Sequence, residues 1–257
     1  YSFFRHTLWP NPQAWLIRGA FVPEEPVVRI GVLTGSESVS WNAIDVGQKT
    51  YTEFWNCPEG SKQQVTTFTN CDEVELVLNG KSLGRQQSDK SDPFKRGLIK
   101  WNNVVYQPGN LVAIAYNNGK EVKRHRIETA GKAVRLVIEP EELSNGTREA
   151  LGSSKKSSNG KSPGMSLRYL TIRAVDKQGN TVPSFDEPLT VTLEGTGATL
   201  LSLDNGDHYT ADLFGPSITT KRMYMGQMQV ILRSTRQGGE ATLKVSSPSL
   251  KGSLKLQ

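Results

Sequence analysis

The chain has 257 residues, of which 36% are hydrophobic and 22% are charged, and its formal net charge is +6. This length accommodates one large or two ordinary domains, and the composition is that of a globular protein with buried cores. No stretch approaches the roughly 18 apolar residues of a membrane span, and no motif interleaves aromatic with basic residues as nucleic-acid-binding domains do, so we expect neither a membrane span nor a nucleic-acid partner.

Residues 1–45 are the least regular part of the chain. Aromatic and aliphatic side chains are frequent there, but prolines at positions 10, 12, 23 and 26 prevent one long helix because proline lacks a backbone N–H. The pattern is compatible with a short helix over residues 13–19 and a short strand over residues 27–30. The chain opens at Tyr1 with neither an initiator Met nor a signal-peptide pattern, which predicts that it continues a longer polypeptide.

Residues 46–131 predict a β-sandwich, because short alternating strands recur with turn residues between them. The clearest strand covers residues 73–78, where apolar and acidic side chains alternate and one face is therefore apolar. Asn79-Gly80 follows it, and both residues tolerate the positive φ of a two-residue hairpin turn. Residues 117–120 give a second hairpin signal of the same kind.

Residues 132–257 predict a second all-strand domain. Between residues 144 and 166 the chain is rich in Ser, Asn, Gly and Lys, and such a segment is expected to be mobile because it has little apolar surface to bury. The strand patterns cover residues 135–139, 167–176, 189–193, 228–232 and 241–246.

Several segments carry a family resemblance. Residues 69–84 are similar, almost without a break, to a segment of glycoside hydrolase family 2 enzymes of the β-galactosidase-like group. Residues 106–116 and 129–132 resemble the segments that follow it in that family. Residues 167–172 and 203–207 resemble the family's terminal domain.

The resemblance implies an architecture and a partner. It implies an all-β fold of two immunoglobulin-like β-sandwich domains in tandem, over residues 46–131 and 132–257, with residues 1–45 as a linker or barrel remnant. It implies that the parent enzyme hydrolyses terminal β-galactosides or related β-glycosides by a retaining mechanism, without an organic cofactor. The expected partners are the catalytic barrel of the same polypeptide, a carbohydrate substrate and a second copy of the chain, and the expected location is the periplasm, cell surface or exterior of a bacterium.

Catalytic residues are not expected in this chain. A retaining glycosidase needs two carboxyl groups roughly 5 Å apart, and in this family both lie on a barrel of about 250 residues. The strand patterns leave no room for such a barrel. The adjacent pairs Glu24-Glu25 and Glu141-Glu142 lie beside prolines and are interpreted as solvated loop charges. We therefore predict that the chain alone is inactive.

A metal site is not predicted either. The three histidines are isolated, whereas a metal site needs several converging ligands. Residues 204–212 contain three aspartates and a histidine, which a loop could bring onto a cation. The preferred interpretation is that these side chains bond to the backbone of their own turns. The two cysteines, Cys57 and Cys71, could pair on neighbouring strands or could be small buried residues.

Trp41 and Trp55 are the predicted carbohydrate contacts, since an exposed indole can stack on the apolar face of a sugar; packing inside the fold is the alternative. Two other functions compete with the enzyme-fragment hypothesis. A free-standing carbohydrate-binding module would present an exposed aromatic platform. An adhesion module would show neither sugar affinity nor an apolar docking face, whereas an enzyme fragment would show such a face near residues 1–45.

Overall fold

The computed structural model describes residues 3–92, 95–141, 167–235 and 238–256. The chain forms two compact units, Tyr1–Thr129 and Ala130–Gln257. In the first unit the elements are α1 (Ala14–Phe21), β1 (Val28–Trp41), β2 (Ile44–Thr52), β3 (Lys62–Thr69), β4 (Glu73–Leu78), β5 (Lys81–Gln87), β6 (Leu98–Val105), β7 (Asn110–Asn117) and β8 (Lys120–Glu128). In the second they are β9 (Arg135–Pro140), β10 (Leu167–Val175), β11 (Pro188–Gly195), β12 (Ala198–Asp204), β13 (Thr220–Arg222), β14 (Gln227–Ser234), β15 (Ala241–Ser246) and β16 (Lys251–Leu256).

The first unit is a β-sandwich of two four-stranded antiparallel sheets, in the orders β2-β1-β3-β6 and β5-β4-β7-β8. Its core lies between them and includes Trp55, Trp101 and Tyr106 among aliphatic side chains. Strand β4 shows why the alternation matters: its three apolar residues at even positions are buried and the residues between them are half-buried. The predicted all-β fold is confirmed, while the immunoglobulin-like strand topology stays a prediction.

Both predicted hairpin turns are present. Asn79 and Gly80 have φ of 49° and 81°, and they connect β4 to β5 with Leu78 paired to Lys81. The turn between β7 and β8 has the same form, with positive φ at its two central residues, Asn118 and Gly119. These turns were predictable because the requirement for positive φ is met by the local residues alone.

The sandwich begins earlier than the predicted boundary at residue 46. Strand β1 pairs with β3 from Val28 to Val32 and with β2 from Val32 onward, and all of it lies inside the segment predicted as a linker or barrel remnant. The short strand predicted over residues 27–30 is only its start. The remainder is rich in Ser and Gly, residues with weak strand signals, and the pairing with β2 makes it a strand.

The N-terminal segment is held on the first sandwich by specific contacts. The side chain of Asn70 accepts a hydrogen bond from the Val27 N–H at 2.8 Å and donates one to the Glu25 carbonyl at 2.9 Å. Helix α1 approaches the same residue through Gly19, where an added Cβ would lie 3.0 Å from the Asn70 Cβ. The segment is therefore part of the first unit.

The second unit is also a sandwich of two four-stranded antiparallel sheets, in the orders β12-β14-β10-β9 and β13-β11-β15-β16. Its described core is aliphatic, with Phe185 as the aromatic member. The segment predicted to be mobile, residues 144–166, lies outside the described residues.

Candidate functional site

Two carbohydrate contacts were predicted, and the structure contradicts the prediction for Trp55. Its side chain is fully buried, its indole N–H donates a 3.1 Å hydrogen bond to the Gln107 carbonyl, and its ring meets Tyr106 edge-on at 5.1 Å. It has no exposed face on which a sugar could stack. Trp41 ends β1, and its side chain lies outside the described part of the chain, so its assignment stays a prediction.

Residues 3–21 carry four exposed large apolar side chains, which we call the N-terminal apolar residues. Residues 3–11 fold back on themselves through a bridge between Phe4 and Pro10 and a hydrogen bond from the Asn11 N–H to the Phe3 carbonyl. Leaving these side chains in water is unfavourable by about 25 cal/mol per Å² of apolar surface, so they favour a covering partner. The N-terminal apolar residues are Phe3, Phe4, Leu8 and Phe21, with exposed fractions of 42%, 44%, 72% and 83%.

A cluster of ionisable and aromatic side chains, which we call the His125 cluster, links helix α1 to the sandwich. The guanidinium carbon of Arg29 lies 3.9 Å from the centre of the Trp15 ring, and Arg29 Nε is 3.9 Å from Glu53 Oε1. The other oxygen of Glu53 is 3.9 Å from His125 Nε2. The backbone N–H of Ile30 donates a 3.1 Å hydrogen bond to His125 Nδ1, which places β8 against β1.

Burial determines the protonation of this His125 cluster. Because Nδ1 accepts a hydrogen bond, the imidazole is neutral and carries its proton on Nε2. Burial lowers the pKa of His125 to about 3, and the nearby Arg29 charge adds to this effect. Burial raises the pKa of Glu53, while Arg29 and Arg5 act in the opposite direction. The cluster contains one carboxyl group, so it does not supply the carboxyl pair of a glycosidase.

The loop over residues 204–212 forms turns. The Asp204 carboxylate accepts from the Gly206 N–H at 2.8 Å, and the Asp207 carboxylate accepts from the Tyr209 N–H at 3.0 Å. These bonds from each side chain to the backbone two residues later are Asx turns, which supports the turn interpretation of this loop. Across the described ranges, no group of three His, Cys, Asp or Glu side chains could hold a metal ion.

Other predicted side chains have structural roles. Glu141 was interpreted as a solvated loop charge, but it accepts hydrogen bonds from Thr171 Oγ1 at 2.7 Å and Gln229 Nε2 at 2.8 Å. Its neighbour at position 142 lies outside the described residues. Cys57 and Cys71 are both free thiols. Burial raises the pKa of each thiol, which lowers its reactivity at neutral pH.

Family models match both units. A domain of unknown function (DUF4982) matches residues 60–123, and the glycoside hydrolase family 2 C-terminal domain 5 matches residues 154–254. Within the described residues no helix is long and apolar enough to cross a membrane.

Curated relatives are much longer than this chain. It is 27% identical over 198 residues to the β-galactosidase BoGH2A of Bacteroides ovatus, a match that covers 77% of this chain and 21% of that protein. It is 36% identical over 110 residues to a putative β-glucuronidase of Formosa agariphila, covering 38% of this chain and 13% of that protein. The match thus spans about a fifth or less of each relative.

Solved structures share the fold. A glycosyl hydrolase family 2 member from Bacteroides cellulosilyticus superposes with a TM-score of 0.77 at 24% identity, covering 100% of this chain and 32% of that one. A β-glycosidase from Bacteroides vulgatus superposes with a TM-score of 0.72 at 22% identity, covering 100% and 28% of the two chains.

Proposed function

The chain belongs to the C-terminal region of glycoside hydrolase family 2, and we propose that it forms two non-catalytic accessory domains of a longer enzyme. The observation that supports this most directly is that the chain has an all-β fold and matches a limited part of a much longer relative. The matched segment is 21% of the Bacteroides ovatus β-galactosidase. Most of that relative lies outside the match, which is ample for a barrel of about 250 residues. We further propose that both sandwiches are immunoglobulin-like.

The partner that we propose for the N-terminal apolar residues is the catalytic barrel of the same polypeptide. These residues lie on a segment anchored to the first sandwich by Asn70, and the His125 cluster fixes the base of helix α1. An anchored segment with exposed Phe3, Phe4, Leu8 and Phe21 suits a permanent intramolecular contact, because burying these side chains removes apolar surface from water and the segment is already held in place by its hydrogen bonds. In this position the two domains would buttress the barrel.

The reaction that we propose for the longer enzyme is hydrolysis of terminal β-galactosides or related β-glycosides. The names of the relatives support this class: one is a β-galactosidase and another a putative β-glucuronidase. Purified chain should therefore be inactive on nitrophenyl β-galactoside and β-glucuronide, whereas the full gene product should hydrolyse at least one of them. Turnover that copurifies with this chain, or no glycosidase activity in the full gene product, would contradict the proposal.

The docking contact has its own test. Phe21 is 83% exposed, so Phe21→Ser should leave folding intact and reduce self-association of the isolated chain in sedimentation velocity. Leu213→Ser is the matched control, because Leu213 is 73% exposed in the second unit. A wild-type chain that stays monomeric at high concentration would count against an apolar docking surface.

A further inference from the structure

The first sandwich has an open edge that forms a groove. Strands β5 and β6 end the two sheets, and a cavity of about 520 Å³ lies along them. Its floor is apolar, formed by the buried side chains of Leu78, Trp101 and Val104. The family model that covers this region assigns it no function.

The walls of the groove are rich in carboxamides. Among its described lining residues Lys81 carries the one charge, and none is acidic. Two exposed apolar side chains, Leu83 and Val105, add apolar surface, with exposed fractions of 38% and 44%. The carboxamide side chains are Asn79, Gln86, Asn102, Asn103 and Gln107.

Most of these carboxamides are available for a ligand. Asn79 and Gln86 are the exceptions. The Asn79 side chain accepts from the Asn110 N–H at 2.8 Å and donates to the Pro108 carbonyl at 3.0 Å, and Gln86 Nε2 donates to the Lys100 carbonyl at 3.5 Å. The exposed side-chain amides of Asn102, Asn103 and Gln107 make no hydrogen bond with another described residue. Each amide offers two donors and an acceptor.

Both strands that border the groove are irregular. The register between β4 and β5 shifts between Glu75 and Val77, and Gly84, with a φ of 111°, lies opposite this shift on β5. The pairing of β3 with β6 shifts between Gln63 and Val65, next to Asn103 at φ 58°. Such bulges redirect side chains and interrupt the row of backbone groups that an added strand would need. The edges are therefore poor templates for a peptide strand.

We propose that this groove binds a neutral oligosaccharide. Sugar hydroxyls donate and accept hydrogen bonds at once, which matches carboxamides better than it matches carboxylates or ammonium groups. The apolar C–H faces of pyranose rings fit against Leu83 and Val105. Because the walls hold one charge, the site lacks the basic cluster that an anionic ligand would require. This site goes beyond the proposed accessory role and differs from the predicted contacts at Trp41 and Trp55.

The test is an NMR titration of the chain with neutral β-linked tetrasaccharides of glucose, galactose and mannose. We expect saturable shifts of the side-chain amide signals of Asn102, Asn103 and Gln107 with at least one sugar. Asn103→Gly removes one carboxamide while keeping the positive φ, and it should weaken binding about fivefold, the loss of about one hydrogen bond. Asn118→Gly is the matched control, because it makes the same change at a positive-φ turn outside the groove.

Three outcomes would overturn the proposal. The first is the absence of saturable shifts at about 10 mM sugar, where even a millimolar site would fill. The second is equal weakening by Asn103→Gly and Asn118→Gly. The third is binding restricted to anionic glycans and abolished by salt, which would reflect the net charge of the chain. Leu83→Ser provides a second variant, expected to weaken binding without changing the backbone of β6.

Discussion

The two β-sandwiches share a layout of two four-stranded antiparallel sheets, yet their cores differ in chemistry. The first core contains Trp55, Trp101 and Tyr106, whereas Phe185 is the aromatic residue of the second core in its described part. Aromatic residues with polar atoms need partners when buried. Thus Trp55 donates to the Gln107 carbonyl at 3.1 Å, and the Tyr106 hydroxyl lies 3.1 Å from Thr129 Oγ1.

This difference shows two ways of stabilising one architecture. The first sandwich connects its core to its loops through directional hydrogen bonds from rings, and it also contains the His125 cluster and the carboxamide groove. The second has an aliphatic core and places polar anchors in its turns, such as Asp176. All five tryptophans precede residue 130, so tryptophan fluorescence reports the first unit alone, while ellipticity reports both.

The largest effect is expected from breaking the aromatic core. Trp55→Ala removes a fully buried ring and should destabilise the first unit by about 3–5 kcal/mol. The measurement is the urea concentration at the midpoint of unfolding followed by tryptophan fluorescence, which should be lower in the variant. Trp55→Phe should cost less than Trp55→Ala because it keeps most of the side-chain volume, although it loses the bond to the Gln107 carbonyl. Leu243→Ala in the second core is the counterpart, expected to cost about 2–5 kcal/mol.

The counterpart variant also checks the comparison. Leu243 is fully buried in the second unit, so its loss should appear in the ellipticity transition with little change in tryptophan fluorescence. If Leu243→Ala moved the fluorescence midpoint as far as Trp55→Ala does, the two cores would not be separate sources of stability.

A smaller effect is expected at the polar anchor of the second sandwich. The carboxylate of Asp176 accepts hydrogen bonds from the backbone N–H groups of Gly131, Gln178 and Asn180, at 2.8, 2.9 and 2.9 Å. Asp176→Ala leaves these donors without their acceptor and should cost about 1–3 kcal/mol in ellipticity-monitored unfolding. Asp176→Asn should cost less, because it keeps one acceptor oxygen.

The pH dependence at Asp176 has a definite sign. Burial raises its pKa, but the hydrogen bonds outweigh that effect and the net pKa lies below the usual value. A lowered pKa stabilises the fold above the unfolded-state pKa of about 4, and this contribution is lost as the pH falls through the folded-state pKa. In Asp176→Asn this acid-dependent loss should be absent. An unchanged acid profile in that variant would contradict the role of the carboxylate.

At neutral pH the smallest effect is expected at the His125 cluster, because its contribution changes only as the pH falls. The pKa of His125 is lowered to about 3, so between pH 6.5 and 3 only the unfolded chain takes up its proton. The contribution of His125 to the free energy of unfolding is therefore fully present above pH 6.5. Below that pH it should fall by about 1 kcal/mol per pH unit. His125→Gln should remove this part of the decline in fluorescence-monitored unfolding.

The facing groups make the prediction sharper. Arg29 and Arg5 also act on the cluster and lower the pKa of Glu53, but burial outweighs them and the net pKa of Glu53 is raised. Glu53 therefore takes up a proton in the folded state as the pH falls. Its uptake offsets part of the loss caused by His125. Glu53→Gln should therefore make the decline steeper, whereas a shallower decline would show that the pKa of Glu53 is not raised.

Local features were predictable and distant ones were not. The two hairpins and the alternating strand β4 were predicted because neighbouring residues determine them. Strand β1 was underestimated because its Ser- and Gly-rich part becomes a strand only through pairing with β2. Trp55 was assigned to a sugar because a single sequence does not distinguish an exposed ring from a ring buried against Tyr106.

The sequence by itself determined the all-β class, the turn positions and the family, since these depend on residue order over spans of a few to about twenty residues. Only the tertiary structure decided which side chains meet. His125 reaches the Ile30 N–H across 95 positions, and the groove joins two strands that end different sheets. Such contacts depend on how the sheets stack and on burial, and those are set by the packing of the whole unit, not by local preference.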